Sequence, residues 1–187
     1  MTFQDGLHKT EQCYREIAQA NQSLIDIWQS AFLFTWNWWL TLFFLLVPWI
    51  LWFFIRNKEQ TARLLFAGLT VVLFSTTLDT IGMDLGKWIY PIKTIPIGNV
   101  GYWFRYSTLP VSIMLLLQFK PHIHPLIKAV VFAGFGAYIG MPLLSVAHLY
   151  QKLDWAYTYS FFTLIFMYLM AHWVSRRQSF ASFKTRS

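Results

Sequence analysis

At residues 78–91 the chain reads Leu-Asp-Thr-Ile-Gly-Met-Asp-Leu-Gly-Lys-Trp-Ile-Tyr-Pro. This stretch begins inside a long apolar run and leaves it with two carboxylates, two glycines, a tryptophan and a Tyr-Pro step. A carboxylate in or near the hydrocarbon of a bilayer is costly unless it is paired, protonated or hydrated. The presence of Asp79 in such a run calls for an explanation, and we take the stretch as the candidate site.

The composition around this stretch indicates an integral membrane protein. Of 187 residues, 56% are hydrophobic, 20% are aromatic and 12% are charged, a balance that is unusual for a soluble domain. A helix needs about 20 apolar residues to cross a bilayer. Five segments meet that length, at residues 30–55, 64–83, 101–119, 126–149 and 155–174. The predicted fold class is therefore all-α, a five-span transmembrane helix bundle.

The remaining segments predict three regions. Residues 1–29 carry apolar positions at helical spacing, which favours an amphipathic N-terminal helix on the outer interface or running into the first span. Residues 30–174 form the membrane domain, and residues 175–187 form a basic tail. Between spans two and three the chain is apolar but interrupted by Pro91 and Pro96, which predicts a re-entrant or interfacial loop over the bundle. No cleavable signal peptide is visible, so we expect the first span to remain in the mature protein.

The net charge of +7 is distributed by side, which argues against a nucleic-acid partner. The connections on one side and the tail carry Arg56, Lys58, Arg63, Lys120, Lys128, Arg176, Arg177, Lys184 and Arg186. The positive-inside rule makes that side cytoplasmic. The other side holds Asp5, Glu11, Glu16, Asp26, Asp84 and Asp154. We therefore predict a plasma (inner) membrane protein with its N-terminus outside and its C-terminus cytoplasmic, whose basic tail contacts anionic lipid head groups.

Cofactor and metal chemistry finds little support in the sequence. The single cysteine, Cys13, excludes an intramolecular disulfide and a cysteine metal cluster. His122 and His124 could both ligate a metal, but no third ligand is near them in the sequence. The motifs of nucleophile elbows, phosphate loops and zinc proteases are missing as well. We predict no metal and no cofactor.

Proline and glycine positions predict how the helices bend and pack. Pro48, Pro110 and Pro142 lie inside three of the expected spans and predict kinks. Gly136 and Gly140 form a Gly-x-x-x-Gly pattern, which indicates a tight helix contact. If the protein is a scaffold, we expect that glycine face to lie at an oligomer or partner contact.

Polar and aromatic residues in the outer half predict one pocket. Arg105 opens the third span near the level of Asp79, and an ion pair is the simplest way to tolerate both charges. The predicted ligand-binding residues are Asp79, Asp84, Trp88, Tyr90, Arg105, Tyr106, His148 and Asp154. A buried carboxyl can act as an acid and aromatic faces can stabilise a cation, as carbocation chemistry on a prenyl chain requires. The alternative is structural, with Asp79 and Arg105 tying two helices together and the other carboxylates solvated at the rim.

One order of motifs runs through residues 28–174. It consists of Trp38-Trp39, Asp79-x-x-Gly82, Trp88-x-Tyr90-Pro91, a third span ending in Gln118, and then Pro142, Tyr150, Trp155 and Tyr159. This order resembles a family of small five-helix integral membrane proteins of spore-forming bacteria, and the resemblance implies topology and membrane location rather than an activity. Members of that family often carry an acidic residue just before the fourth-span proline, where this chain has Met141.

The segment from Asp79 to the Tyr-Pro step is also similar to bacterial lycopene-cyclase-type membrane domains. In those domains an aspartate precedes a Gly, Trp, Tyr-Pro segment, and a proline and paired glutamates follow. Here Pro96 is followed by Ile97-Gly98-Asn99. The resemblance therefore implies shared architecture rather than shared activity.

Together these features predict a multi-pass membrane protein that binds a lipid or isoprenoid in an outer-facing pocket, or that serves as a small membrane partner subunit. Its expected partners are membrane lipids, with an isoprenoid among them, and either a second copy of the chain or another membrane protein. The alternative is a membrane-embedded prenyl cyclase or isomerase of the terpene or carotenoid type, with Asp79 as general acid.

Overall fold

The computed structural model describes residues 1–98 and 100–177. Most of the basic tail predicted at residues 175–187 lies outside the described part of the chain. The elements in order are α1 (Phe3–Ile27), a π-helical turn (Trp28–Phe32), α2 (Trp36–Ile55), a 3-10 turn (Lys58–Gln60), α3 (Thr61–Asp84), β1 (Trp88–Ile89), a π-helical turn (Phe104–Thr108), α4 (Leu109–Gln118), α5 (Pro125–Phe135), a π-helical turn (Gly136–Gly140), α6 (Met141–Val146), β2 (Gln151–Lys152) and α7 (Tyr157–Ser175).

The predicted helical class is confirmed. Three helical stretches within the described residues are long and apolar enough to cross a membrane, namely Trp36–Ile55, Lys58–Asp84 and Pro125–Val146. The stretch expected as the third span is helical only over residues 102–118. The stretch expected as the fifth span, α7, contains Tyr157, Thr158, Tyr159 and Ser160 at its start and His172 near its end, which makes it less apolar. The three apolar helices suggest a membrane location.

The N-terminal helix α1 stands apart from the core. Thr2 and Asp5 form a capping box at its start, in which each side chain accepts a hydrogen bond from the other residue's backbone N–H. None of its residues is buried. The helix continues through the π-helical turn Trp28–Phe32, and the chain then reverses at Phe34, whose φ is +62°. The first apolar helix therefore begins at Trp36 and not at residue 30 as predicted, because this turn and the Thr35 cap separate the two helices.

Small residues bring the central helices close together. The largest buried cluster joins α3, α4, α5 and α7 and includes Ala67, Val71, Ala129, Ala133 and Ala171. Alanine faces let helix backbones approach closely, which gives dispersion contact without bulky side chains.

Gly136 and Gly140 behave differently from each other. A Cβ atom built on Gly136 would lie 2.9 Å from Cδ1 of Leu164 in α7, so this glycine makes a tight contact inside the chain. A Cβ atom on Gly140 would have only one neighbour within 4 Å, the Phe135 carbonyl oxygen at 3.7 Å. The predicted tight helix contact is present at Gly136, and Gly140 borders open space.

The three prolines are accommodated in two ways. Pro48 lies inside α2, which is helical on both sides of it. Pro110 and Pro142 each lie in the first turn of a short helix, directly after the π-helical turns Phe104–Thr108 and Gly136–Gly140. A proline has no N–H and its ring crowds the carbonyl four residues earlier. A wide π-helical turn before the proline is one way to accommodate that crowding.

Two backbone carbonyls that the prolines leave without a helical donor are satisfied by the neighbouring helix. The Phe44 carbonyl, four residues before the proline of α2, accepts a hydrogen bond from the Thr108 hydroxyl at 3.2 Å. The Tyr106 carbonyl, four residues before the proline of α4, accepts one from the Trp49 indole N–H at 2.9 Å. In an apolar medium an unpaired carbonyl is costly, so these bonds join α2 to the helix at residues 102–118.

A glycine, Gly86, ends α3. The N–H of Gly86 donates to the Met83 carbonyl at 3.0 Å, and the N–H of Lys87 donates to the Gly82 carbonyl at 2.8 Å. This is a Schellman motif, and it requires the left-handed conformation that Gly86 adopts, with φ of +65°. The turn directs the chain from α3 into β1.

A pair of short strands closes this end of the bundle. Trp88–Ile89 pairs antiparallel with Gln151–Lys152. The side chains of Lys87 and Asp154 form an ion pair beside the strands. We call residues 85–98 together with residues 147–156 the cap.

Donors from the first two helical segments hold the cap. Three side chains donate to cap carbonyls, Trp28 to Lys93 at 2.7 Å, Trp38 to Thr94 at 3.2 Å and Asn37 to Ala147 at 2.7 Å. Tryptophan has an apolar body and one N–H donor, which suits it to a contact between an apolar helix and a loop carbonyl. The cap is therefore tied to the start of the bundle at three points.

Candidate functional site

The centre of the candidate site is Asp79, in the last two turns of α3. The residue is 6% exposed. Both of its carboxylate oxygens accept hydrogen bonds. Oδ1 accepts hydrogen bonds from the Trp88 indole N–H and the Tyr90 hydroxyl, each at 3.2 Å, and Oδ2 accepts one from Nε of Arg105 at 3.2 Å. The carboxylate therefore joins α3 to the cap and to the helix at residues 102–118.

The predicted ion pair between Asp79 and Arg105 is present, and both residues are buried. Arg105 is 2% exposed and lies in the π-helical turn before α4. Its Nη2 atom is buried and makes no hydrogen bond to the described residues. A buried pair of this kind is costly to break, because removing one partner leaves an uncompensated charge in an apolar surrounding.

Two glycines make room for the aromatic donors. A Cβ atom on Gly82 would lie 2.0 Å from the Trp88 ring, and a Cβ atom on Gly101 would lie 2.9 Å from the Tyr90 ring. Gly82 lies almost one turn after Asp79 on α3, so the Trp88 indole lies across the helix backbone and reaches the carboxylate. Larger residues at these positions would displace the donors.

The tyrosines of the cap remain protonated at the site. Burial is the largest cause that raises the pKa of Tyr90 well above its usual value, and the negative charge of Asp79 adds to it. Burial also raises the pKa of Tyr150, with further contributions from Tyr157 and Asp79. A protonated phenol can donate a hydrogen bond, which is the role that Tyr90 has towards Asp79.

A small cavity lies beside the carboxylate. Its volume is about 40 Å³. Polar groups of Ser75, Tyr150, Ser160 and Thr163 line it together with Asp79, and the remaining lining side chains are mostly apolar. A cavity of this size holds a few water molecules, but it does not hold a hydrocarbon chain.

A larger apolar cavity of about 150 Å³ adjoins the first one. We call it the lateral groove. It lies between the helix at residues 102–118 and the stretch Pro125–Val146, and its lining includes Thr108, Ser112, Phe132, Phe135, Gly136, Gly140 and Leu144. Phe104, Leu109, Met141 and Leu164 line both the lateral groove and the small cavity. These four side chains are the wall between the apolar groove and the cavity beside the Asp79 carboxylate.

The other predicted site residues lie elsewhere. Asp84 is exposed at the end of α3, and no described residue hydrogen-bonds its side chain. Tyr106 is 37% exposed, and its ring packs against that of Tyr102 at an interplanar angle of 35°. His148 is an exposed residue with φ of +57°, and Asp154 is exposed and paired with Lys87. These four residues do not line the small cavity. Of the eight expected pocket residues, Asp79, Trp88 and Tyr90 line it, and Arg105 is bonded to Asp79 without lining the cavity.

Sequence reasoning missed residues from the second half of the chain. Tyr150 and Trp155 line the small cavity, and the Trp155 indole donates to the Ser160 hydroxyl at 2.9 Å. Tyr150 and Trp155 belong to the order of motifs that carries the family resemblance, and their place in that order could have marked them as candidate site residues. Ser160 carried no signal, because a lone serine on a helix is common.

Within residues 1–98 and 100–177, no group of three or more His, Cys, Asp or Glu side chains is placed to hold a metal ion. The fold and site define a helical protein with three helices long and apolar enough for a membrane and with a buried ion pair beneath a cap. Comparison of the chain with protein-family models, curated protein sequences and solved structures gives no match.

Proposed function

We propose that this protein is a multi-pass plasma-membrane protein that binds one lipid or isoprenoid chain in the lateral groove, with the polar end of the ligand towards Asp79. The observation that carries the proposal is the shared wall, in which Phe104, Leu109, Met141 and Leu164 separate the apolar groove from the cavity that the Asp79 carboxylate lines. An amphiphile has an apolar chain, which would suit the groove, and a polar end, which would suit the side of Asp79. Displacement of the flexible Met141 side chain would join the two spaces, because methionine changes rotamer easily.

The proposed topology has five spans, with the cap on the outer side. The helix at residues 102–118 and α7 pack against the three apolar helices and run between the same two ends of the bundle, which supports counting them as spans. The end opposite the cap carries Arg56, Lys58, Arg63, Lys120 and Lys128, and the positive-inside rule places that end in the cytoplasm. The resemblance to small five-helix membrane proteins of spore-forming bacteria agrees with this proposal.

The catalytic alternative, a prenyl cyclase or isomerase with Asp79 as acid, is less well supported. A general acid must hold a proton and deliver it to the substrate. The Asp79 carboxylate instead accepts three hydrogen bonds and is paired with a guanidinium. The partner-subunit alternative predicts a glycine contact with another chain, whereas Gly136 packs against Leu164 of its own chain.

A groove-filling variant tests the proposal. Gly140 has φ of −60° and ψ of −55°, which leucine adopts readily, and its missing side chain faces open space in the groove. We expect Gly140→Leu to occupy the groove without a backbone clash. Val131→Phe is the matched control, because it adds bulk to an exposed position of the same helical stretch.

The measurement is mass spectrometry of lipids that copurify with each variant in a mild detergent. The wild type and Val131→Phe should retain a prenyl or acyl lipid at about one per chain, and Gly140→Leu should lose it while its melting temperature is preserved. An unchanged lipid content in Gly140→Leu, or a wild type without a stoichiometric lipid, would refute lipid binding in the groove.

A further inference from the structure

Another cavity lies at the basic end of the bundle, where α3 and α5 begin and α7 ends. Its volume is about 520 Å³, and its lining is mainly polar. The residues that line it include Gln60, Arg63, Lys128, His172, Ser175 and Arg176. Arg63 precedes Asp79 by 16 residues on α3, which corresponds to about 24 Å along the helix. This cavity is therefore separate from the site beneath the cap, and its role does not depend on the lateral groove.

The charges around this cavity have one sign. Arg63 comes from the first turn of α3, Lys128 from α5 and Arg176 from the end of α7. No aspartate or glutamate is among the described residues that line the cavity. Three cations from three separate helices converge on one space, and no described residue of its lining is acidic.

Two of the three cations have unused hydrogen-bond donors. Within the described residues, the guanidinium groups of Arg63 and Arg176 make no hydrogen bond and no ion pair. Lys128 is different, because its ammonium donates to the Leu116 carbonyl at 2.8 Å and also to the Phe119 carbonyl. An ammonium has three N–H donors, so Lys128 is fixed at the cavity wall with one donor left.

The helix that carries Arg63 adds to the positive potential. α3 is 24 residues long and begins at Thr61, directly at the cavity, and Gln60 caps it without a side-chain hydrogen bond. The amino end of a helix favours anions, and phosphate groups are frequent ligands there. A volume of about 520 Å³ lies within the usual range of small-molecule sites, roughly 300–1,000 Å³.

We propose that this cavity binds a phosphate group between Arg63, Lys128 and Arg176. Guanidinium groups match the oxygens of a phosphate with two parallel N–H bonds, and an ammonium serves as a point charge beside them. The phosphate belongs either to the head group of an anionic lipid or to a soluble phosphorylated compound. Both sources present the same chemistry to the cavity.

The experiment uses the full chain in nanodiscs and has two arms. In the lipid arm, nanodiscs contain phosphatidylcholine with increasing phosphatidylglycerol, and native mass spectrometry counts the retained phosphatidylglycerol. In the soluble arm, nanodiscs contain phosphatidylcholine alone, and inorganic phosphate is titrated at constant ionic strength while bound phosphate is measured. Saturable binding of one phosphate group per chain in either arm supports the proposal and identifies the source. The absence of saturable binding in both arms would overturn it.

Matched variants distinguish a site from general attraction to positive charge. Arg63→Gln and Arg176→Gln each remove one lining guanidinium and should weaken binding at least about tenfold, because a hydrogen bond to a charged group contributes about 1.5–3 kcal/mol. Arg177→Gln removes the same charge one residue later, where the guanidinium stacks on Trp173 and does not line the cavity. Its affinity should stay within about twofold of wild type. Equal losses in Arg176→Gln and Arg177→Gln would show that no specific site exists.

Discussion

Replacement of Asp79 by asparagine is the most direct test of the buried ion pair. The asparagine has nearly the same shape, and its carbonyl oxygen can still accept the hydrogen bonds from Trp88 and Tyr90. The charge is lost, and the Arg105 guanidinium, 2% exposed, remains buried without a counter-charge. Breaking a buried pair in this way lowers the free energy of unfolding by about 3–5 kcal/mol. We expect a loss of that size for Asp79→Asn.

The same physics predicts that removing both charges costs less. In Asp79→Asn combined with Arg105→Met, neither charge remains to be desolvated, and the asparagine oxygen can still accept the hydrogen bonds from Trp88 and Tyr90. Because no uncompensated charge is left buried, we expect the double variant to be more stable than Asp79→Asn alone. A double-mutant cycle over the two positions should therefore give a coupling energy of at least about 2 kcal/mol, because the two groups are in direct contact.

Reversible unfolding in bicelles or mixed micelles measures these free energies. Asp84→Asn is the control, since it removes an exposed carboxylate from the same helix and should change the free energy of unfolding by no more than about 0.5 kcal/mol. A loss of less than about 1 kcal/mol in Asp79→Asn would refute the reasoning. A double variant no more stable than Asp79→Asn would refute it as well.

Two further predictions concern the residues around the site. Gly82→Ala places a Cβ atom 2.0 Å from the Trp88 ring, so we expect a loss of about 1–3 kcal/mol and a changed tryptophan near-ultraviolet circular dichroism spectrum. Gly6→Ala, in open space on α1, should leave the spectrum unchanged and should not lower the stability. At the cap surface, the Lys87 hydrogen bond and charge lower the pKa of Asp154 below its usual 3.8. Because the folded-state pKa is the lower one, this contribution to stability is present above about pH 4 and is lost as pH falls through the folded pKa. A carbon-13 NMR titration should give a midpoint below 3.8, and Lys87→Gln should raise that midpoint; an unchanged midpoint would show that the ion pair does not form.

The apolar helices could be predicted from sequence because a span is a property of composition over about twenty residues. Trp36–Ile55 and Pro125–Val146 show this most clearly. The start of the first apolar helix could not be predicted in the same way. It depends on the left-handed conformation of Phe34, whose ring packs against Trp38 and Trp39, and no glycine or asparagine signals that conformation in the sequence.

The candidate site was predictable in part for geometric reasons. Asp79 and Arg105 could be paired from their expected depth in the bilayer. Asp84 could have been excluded, because five residues along a helix correspond to a rotation of about 140° and place its side chain on another face. Tyr106 follows Arg105 directly, and consecutive residues of a helical turn point to different sides of it. Tyr150, by contrast, reaches the site only because two short strands close the cap, and no local pattern reveals that pairing.

The exchange of donors between α2 and its neighbour has a consequence for biosynthesis. The ribosome completes α2 more than fifty residues before it reaches Thr108, so α2 is available for membrane insertion while the Phe44 carbonyl still lacks its partner. That carbonyl gains a donor only when the later helix docks. Chain order therefore gives the newly made α2 an affinity for one particular successor, and the proline that interrupts its hydrogen-bond ladder also marks the place where that successor binds.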